Sequence, residues 1–142
     1  MSKLTLAAGF LAVAFFAGVS LADDHEEFEK GMKELPPTMG AFKKSIAGQS
    51  SGDAVVAADK VATIYASVEK YWRAHPNKDK VAGAIEFSVA GKESAMKASA
   101  LAKESKFEEA MTAMSGVQKT CAGCHAAYRE KTESGYKFKS LE

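Results

Sequence analysis

Two thiols and an imidazole stand close together near the end of the chain, in Cys121-Ala122-Gly123-Cys124-His125. On a helix, two intervening residues place the cysteine sulfurs about one turn apart. Thiols at this spacing can form thioethers to the former vinyl groups at one edge of a porphyrin, and the following histidine can bind the iron. The C-x-x-C-H spacing therefore predicts a covalently attached haem c, tethered by Cys121 and Cys124, with His125 as the proximal iron ligand.

Three other uses of the two cysteines have to be compared with haem attachment. A redox-active C-x-x-C belongs in a βαβ setting, and the sequence shows none. A zinc site would need a fourth ligand, and only His25 and His75 remain among the histidines. A simple disulfide in an oxidising compartment is the third alternative. The features of the rest of the chain favour haem.

The chain opens with the features of a secretory signal peptide. Lys3 supplies a positive charge, residues 4–19 form an apolar run, and Ala22 closes a small-residue pattern that signal peptidase cleaves. The run is short for a membrane span, and two aspartates follow Ala22 directly. We therefore expect residues 1–22 to be removed on export to the periplasm, with no stable membrane insertion afterwards, and residues 23–142 to form the mature domain.

The mature segment has a balanced charge and a modest size. Its length of about 120 residues suits one domain. Its net charge is zero once Lys3 is removed, which argues against nucleic acid or an anionic membrane as the main partner. Both cysteines of the chain belong to the motif, so no disulfide framework needs to be explained.

Apolar residues recur at alternating steps of three and four along the mature chain, and no segment shows the period-two alternation of a strand. We predict four helices: 24–47, 53–74, 78–104 and 106–131. Pro36 and Pro37 should kink the first helix, although the apolar seam keeps its phase across them. The third helix is rich in Ala, Gly and Ser, so either a porphyrin or another helix could approach its backbone. The residues after Thr132 are expected to form a frayed tail.

Four amphipathic helices with short links predict an all-α fold, an antiparallel four-helix bundle with covalently attached haem. In such a bundle the first and last helices are adjacent and antiparallel, so the start of one faces the end of the other. Met32, about two turns into the first helix, matches His125 in height. Met32 is therefore predicted to be the distal iron ligand, and its alternative role is that of an ordinary core methionine.

Other side chains fit the distal position less well. Met39 lies about 10 Å further along the helix axis than Met32. Met111 and Met114 are on the same helix as the motif, and the distance of Met96 on the third helix is not fixed by the sequence. His25 lies near the right height but off the apolar seam, so we expect it to be exposed.

Several further residues could border a haem. Five apolar positions are explained equally well as haem wall or as ordinary core: Phe28, Leu35, Met39, Phe42 and Trp72. Tyr128, one turn beyond His125, is expected to pack on the proximal side. Arg129 could pair with a haem propionate, cover the histidine, or remain a solvated surface residue.

The chain resembles the cytochrome c′ and cytochrome c-556 family, which consists of exported bacterial four-helix haem proteins. The resemblance rests on the run from Cys121 to Arg129, with an aromatic residue and an arginine after the histidine, and it extends over essentially the whole mature chain. The stretch Gly31-Met32-Lys33-Glu34 is similar to the first helix of those members in which a methionine binds the iron. The resemblance thus implies a low-spin iron ligated by His125 and Met32.

Two functions follow from these expectations, and they differ at the sixth ligand. A His/Met-ligated iron would make the protein an electron carrier for redox partner proteins in the periplasm. If Met32 stays off the iron, the open distal face would bind NO or CO instead. An enzyme is not expected, because the inward face of the first helix offers no distal acid–base residue. The resemblance also allows a homodimer through the first and second helices.

Overall fold

The structure, a computed structural model, describes residues 21–133 and 135–141. Within these residues four helices and two short strands follow in chain order: α1 Leu21–Ala47, α2 Ser51–Ala74, α3 Lys78–Lys103, α4 Phe107–Tyr128, β1 Arg129–Thr132 and β2 Gly135–Phe138. The predicted signal peptide, apart from its last two positions, lies outside the described residues. No helix in this part of the chain is apolar over a stretch long enough to cross a membrane.

The four helices pack against each other, which confirms the predicted four-helix fold. Helix α2 packs on α1 and on α3, and α3 packs on α4. The links between α1 and α2 and between α3 and α4 contain three residues each. Both links use left-handed backbone, at Gln49 with a φ of 51° and at Ser105 with a φ of 58°, and this conformation ends the preceding helix.

Helix α1 continues without a break through Pro36 and Pro37, where the sequence predicts a kink or a short break. Neither proline can donate a backbone hydrogen bond to the carbonyl one turn earlier. The hydroxyl of Thr38 donates to the carbonyl of Glu34 at 2.8 Å, and Met39 is buried. Packing of α1 on α2 therefore supports a helix that has lost part of its own hydrogen bonding.

The interior between α2, α3 and α4 consists largely of small side chains. Alanines without exposed surface occur on all three helices: Ala54, Ala58, Ala84, Ala95, Ala98, Ala102 and Ala110. Gly91 of α3 lies so close to Tyr65 of α2 that a Cβ there would be 2.2 Å from the ring atom Cε1. Gly83 is covered in the same way by the hydroxyl of Tyr128. The small residues of α3 thus admit aromatic side chains from its neighbours.

Helices α1 and α4 barely touch, although the sequence predicts them to be adjacent. Helix α1 rests on α2, and α4 rests on α3, so that a gap separates the first helix from the last. This gap matters for function because the cysteine–histidine motif lies on the side of α4 that borders it.

The end of the chain differs from the prediction. Helix α4 ends at Tyr128 rather than at residue 131, and the tail forms an antiparallel hairpin in which Arg129 pairs with Phe138. Gly135 begins the second strand with a φ of 139°, a conformation that glycine adopts without steric cost. The expectation of a frayed tail was therefore wrong.

Aromatic packing explains why the tail is ordered. The ring of Phe138 lies 5.6 Å from that of Phe28 on α1 and 5.3 Å from that of Trp72 on α2, measured between centroids. Contacts between aromatic rings at such distances stabilise a fold beyond the burial of their area. The hairpin thus joins the ends of two helices at one end of the gap.

Candidate functional site

A cavity of about 1080 Å³ occupies the gap between α1 and α4. Helices α2 and α3 contribute its back wall, and the β1–β2 hairpin borders one end. Pockets for small molecules and cofactors reach about 1000 Å³, so this cavity can accept a large cofactor. Most of the side chains that line it are apolar or aromatic.

The cysteine–histidine motif lies on the last turns of α4 and lines the cavity. Cys121 and Cys124 are half-buried free thiols, and His125 is more exposed. Residues three and four positions apart on a helix project from the same face. The helix therefore presents both thiols and the imidazole to one wall of the cavity.

Tyr65 of α2 holds the sulfur of Cys121 from the other side of the bundle. Its hydroxyl lies 3.1 Å from the Cys121 Sγ atom and 3.0 Å from the hydroxyl of Thr120. Burial raises the pKa of Tyr65, and the neighbouring Cys121 raises it further, so the phenol keeps its proton. In the sequence, Tyr65 is one of the regularly spaced apolar positions of α2. Nothing in that spacing shows which residue of α4 it contacts.

Gly123 allows another aromatic side chain to approach the backbone of the motif. A Cβ atom at this position would lie 2.6 Å from the Cε1 atom of Phe87 on α3. Phe87 is half-buried and also lines the cavity. Gly123, one of the two residues between the cysteines, thus has to be small because the Phe87 ring occupies the space beside it.

The protonation states of the motif follow from its burial. Burial raises the pKa of the Cys124 thiol to about 11, and the nearby Cys121 adds to the effect. Burial lowers the pKa of His125, with a smaller contribution from the positive charge of Arg129. At neutral pH the Cys124 side chain is therefore a thiol, and His125 is a neutral imidazole with one nitrogen lone pair free for a metal.

Helix α1 supplies the opposite wall of the cavity. Met32 lines it and is half-buried, and Leu35 and Met39 line it with less than a tenth of their surface exposed. His25 also lines the cavity, although half of its side chain is exposed, as its position off the seam predicts. Three histidine and methionine residues of α1, the residue types expected as a distal iron ligand, thus border the cavity: His25, Met32 and Met39.

The structure separates the other candidates from the cavity. Met96 is 57% exposed on α3, and neither Met111 nor Met114 lines the cavity. Phe42, one of the five proposed wall residues, is completely buried in the core and does not line the cavity. Phe28, Leu35, Met39 and Trp72 all line it.

Two hydrogen-bond donors lie at the hairpin end, and one of them is buried and unsatisfied. Trp72 is 1% exposed, and its indole Nε1 atom has no hydrogen-bond partner among the residues that the structure describes. The guanidinium of Arg129 lies 4.3 Å above the centre of the Tyr136 ring, and in the described part of the chain it forms no ion pair with a carboxylate. Both residues line the cavity.

These features together fit a haem group. The motif offers two thiols and an imidazole, the walls are mostly apolar, and the hairpin end offers the unsatisfied indole N–H of Trp72 beside the charge of Arg129. Among the residues that the structure describes, no three His, Cys, Asp or Glu side chains converge as they would on a lone metal ion.

The chain was compared with known families, characterised proteins and solved structures. No family model matches it, no curated protein matches it, and no solved structure matches it.

Proposed function

We propose that this protein is a c-type cytochrome that transfers electrons in the periplasm. The observation that carries the proposal is that Cys121, Cys124 and His125 line one wall of a cavity of about 1080 Å³, which is large enough for a porphyrin. Met32 lines the same cavity from α1. No other feature of the chain explains why a C-x-x-C-H motif should border so large an apolar space.

Three residues of the motif, together with Met32 of α1, would hold the cofactor. Cys121 and Cys124 would form the thioethers to haem, and His125 from α4 and Met32 from α1 would bind its iron. Haem, when bound, supplies one-electron redox chemistry. Tyr65 keeps the Cys121 sulfur in place through the contact of 3.1 Å.

Other lining residues control access to the cofactor. Phe28, Leu35 and Met39 place apolar side chains on the α1 wall and exclude water from the distal side. A dry site with two fixed protein ligands changes little when an electron arrives or leaves, which suits electron transfer. None of these three side chains can act as a general acid or base, although His25 on the same helix also lines the cavity.

The loose contact between α1 and α4 favours a second candidate function. Since α1 barely touches α4, its wall can stand away from the iron, and Met32 then leaves the sixth position open. A protein of this kind would bind NO or CO on its distal face. The two candidates differ only in whether Met32 reaches the iron.

Export and partners complete the proposal. Residues 1–22 act as a signal peptide, and the mature protein exchanges electrons with periplasmic redox proteins, either as a monomer or as a homodimer through α1 and α2. Mass spectrometry of the protein purified from the periplasm should give a chain that begins at Asp23 and carries the added mass of one haem.

The first experiment is to express the full chain in a host that attaches haem c and to record its absorption spectrum. The denatured protein should keep its haem, and the Cys121→Ser/Cys124→Ser double variant should lose it. A wild-type protein without covalent haem would refute the proposal. A low-spin spectrum that does not change with CO supports the electron carrier, whereas an immediate response to CO supports the gas-binding alternative.

The distal ligand is tested with a matched pair of methionines. Met32→Ala should convert the low-spin spectrum to a high-spin one that responds to CO. Met39→Ala, one heptad further along the same wall, should leave the low-spin spectrum unchanged. Loss of the low-spin spectrum in His25→Ala, with no effect of Met32→Ala, would assign the sixth ligand to His25.

A further inference from the structure

We infer that Trp72 is a positioning residue, which binds a carboxylate of the cofactor through its indole N–H, with Arg129 as the second donor. This inference rests on the proposed function, because it assigns one end of the cavity to the propionate groups of haem. It adds an orientation for the cofactor that the cysteine–histidine motif alone does not provide.

The buried indole carries the first part of the argument. Buried N–H groups in folded proteins nearly always have an acceptor, so one that lacks it needs an explanation. The Nε1 atom of Trp72 has none among the described residues. The rings packed around Trp72 belong to Phe28, Tyr71, Tyr128 and Phe138, and the imidazole of His75 lies 6.3 Å away, between ring centroids, without accepting a hydrogen bond from it. Since Trp72 borders the cavity, the missing acceptor can come from the molecule that fills it.

Arg129 determines the chemical class of that acceptor. It pairs with Phe138 across the hairpin, so it lies on the face of the hairpin that packs against Trp72. Its positive charge lines the cavity, and within the described residues it is not neutralised by an ion pair. A guanidinium and an N–H donor next to each other suit a carboxylate, because charge-assisted hydrogen bonds are the strong ones. Arg129 is half-buried beside the cavity, so its charge favours an anionic acceptor over a neutral one.

The spacing along the bundle agrees with the shape of a haem molecule. Tyr65 of α2 contacts Cys121 of α4, and Trp72 of α2 contacts Tyr128 of α4. The second contact lies seven residues beyond the first on both helices. Seven residues correspond to about 10 Å along the axis. The vinyl-derived and propionate edges of haem lie on opposite sides of the ring. The thioethers thus occupy the Tyr65 end of the cavity, and the propionates occupy the Trp72 end.

The experiment uses the haem-loaded protein reduced under CO, because low-spin ferrous haem is diamagnetic whether Met32 or CO is the sixth ligand. The chain has one tryptophan, so the indole N–H gives a single signal in an NMR spectrum of the ¹⁵N-labelled protein. We expect a nuclear Overhauser effect between this proton and the propionate methylene protons. An effect to water alone would show that a buried water molecule is the acceptor and would overturn the inference.

A variant pair gives an independent measurement. Trp72→Phe keeps an aromatic ring but removes the N–H, and it should shift the propionate bending band in the resonance Raman spectrum. Tyr71→Phe removes the neighbouring hydroxyl, which lies 3.4 Å from His25 Nδ1, and should leave the band unchanged. If Trp72→Phe does not fold, Arg129→Gln should shift the same band.

The outcomes separate this inference from the proposed function. Wild-type protein without covalent haem refutes the proposed function. Wild-type protein with haem, but with the same propionate band in Trp72→Phe and no Overhauser effect to the propionates, refutes only the role of Trp72.

Discussion

The two sides of the helix bundle are built differently. Between α2, α3 and α4, alanines and glycines let the helices approach until aromatic rings touch backbone, as Tyr65 does at Gly91. Between α1 and α4 the helices barely touch, and larger side chains border a cavity of about 1080 Å³. Side chains of the protein fill one side, and the other side holds an open cavity.

This difference assigns separate tasks to the two sides. Close packing on the filled side stabilises three helices, including α4, whose cavity-facing side carries the motif. The open side contributes less to stability because a cavity lacks the contacts that a packed interior makes. We therefore expect substitutions on the filled side to change stability, and similar substitutions on the open side to change cofactor binding.

The largest expected effect is that of Gly91→Ala on the filled side. The new Cβ would lie 2.2 to 2.6 Å from three atoms of the Tyr65 ring. Tyr65 is 4% exposed and fixed by its hydroxyl, so α2 and α3 must move apart. Overpacking of this kind costs about 3 kcal/mol. Urea unfolding of the variant measures the loss.

Gly40→Ala on α1 is the matched control for Gly91→Ala. Gly40 also lies within a helix, but it borders the cavity, and a Cβ there would meet nothing within 4 Å. Alanine has the higher helix propensity, so this variant should gain up to about 1 kcal/mol. Equal losses in the two variants would contradict the contrast between the sides.

Much of this contrast could be predicted from the sequence, because it depends on local patterns. The apolar seams gave helix boundaries close to those observed, and the small residues of α3 indicated close approach. The spacing of the motif placed Cys121, Cys124 and His125 on one face of a helix. These predictions need only the helical period, which is the same everywhere in the chain.

Other features depend on contacts between distant residues and could not be predicted. The spacing of apolar residues along each helix did not show that Tyr65 contacts Cys121, nor that Phe87 covers Gly123. The hairpin was missed because each strand has four residues, too few to establish a period. Gly135 between two short runs, with aromatic residues two positions apart, was the available signal.

The second largest effect should come from Phe138→Ala, which tests the hairpin end of the open side. The half-buried ring packs on Phe28 and Trp72, so its removal should cost about 2 kcal/mol, less than for a fully buried ring.

Tyr136→Ala on the same strand is the control. Tyr136 is 64% exposed and contacts only Arg129 among the described rings and cations, and its loss should cost about 0.5 kcal/mol. Thermal unfolding compares the two, and equal shifts would mean that the tail is not anchored by Phe138.

A smaller effect is expected from Glu69→Gln, which tests a charge cluster across the filled side. Glu69 of α2 accepts hydrogen bonds from Lys92 of α3 and from Arg73, and its side chain is 14% exposed. The partly screened pairs should contribute about 1 kcal/mol at neutral pH. Lys92, and then Arg73, lowers the pKa of Glu69 in the folded protein.

The sign of that pKa shift determines the pH dependence. Since the folded pKa is below the unfolded value of about 4.3, the contribution is complete above that value. It declines as the pH falls and is lost below the folded pKa. The stabilities of wild type and Glu69→Gln should therefore converge in acid. Glu104→Gln breaks a pair with Lys106 that lowers the pKa of Glu104 in the same way, but solvent screens this exposed pair, so its pH-dependent difference should be much smaller. A difference in unfolding free energy between wild type and Glu69→Gln that persists in acid would contradict the stabilising role of the ionised Glu69 carboxylate.

The smallest change in stability is expected for Gly123→Ala, although its steric overlap resembles that of Gly91→Ala. The new Cβ would lie 2.6 and 2.8 Å from two atoms of the Phe87 ring. Phe87 is half-buried and has the cavity beside it, so the ring can swing aside where Tyr65 cannot. A strain of about 1 kcal/mol is then offset by the gain in helix propensity.

The displaced Phe87 ring would instead occupy part of the cavity that we propose holds haem. Gly123→Ala should therefore unfold at nearly the same urea concentration as wild type while it carries less covalent haem per chain. Haem absorbance divided by protein concentration measures the second quantity on the same samples. A loss of stability as large as that of Gly91→Ala, with haem content unchanged, would mean that the cavity side is packed as rigidly as the other. In that case the open space would not be what distinguishes the two sides of the bundle.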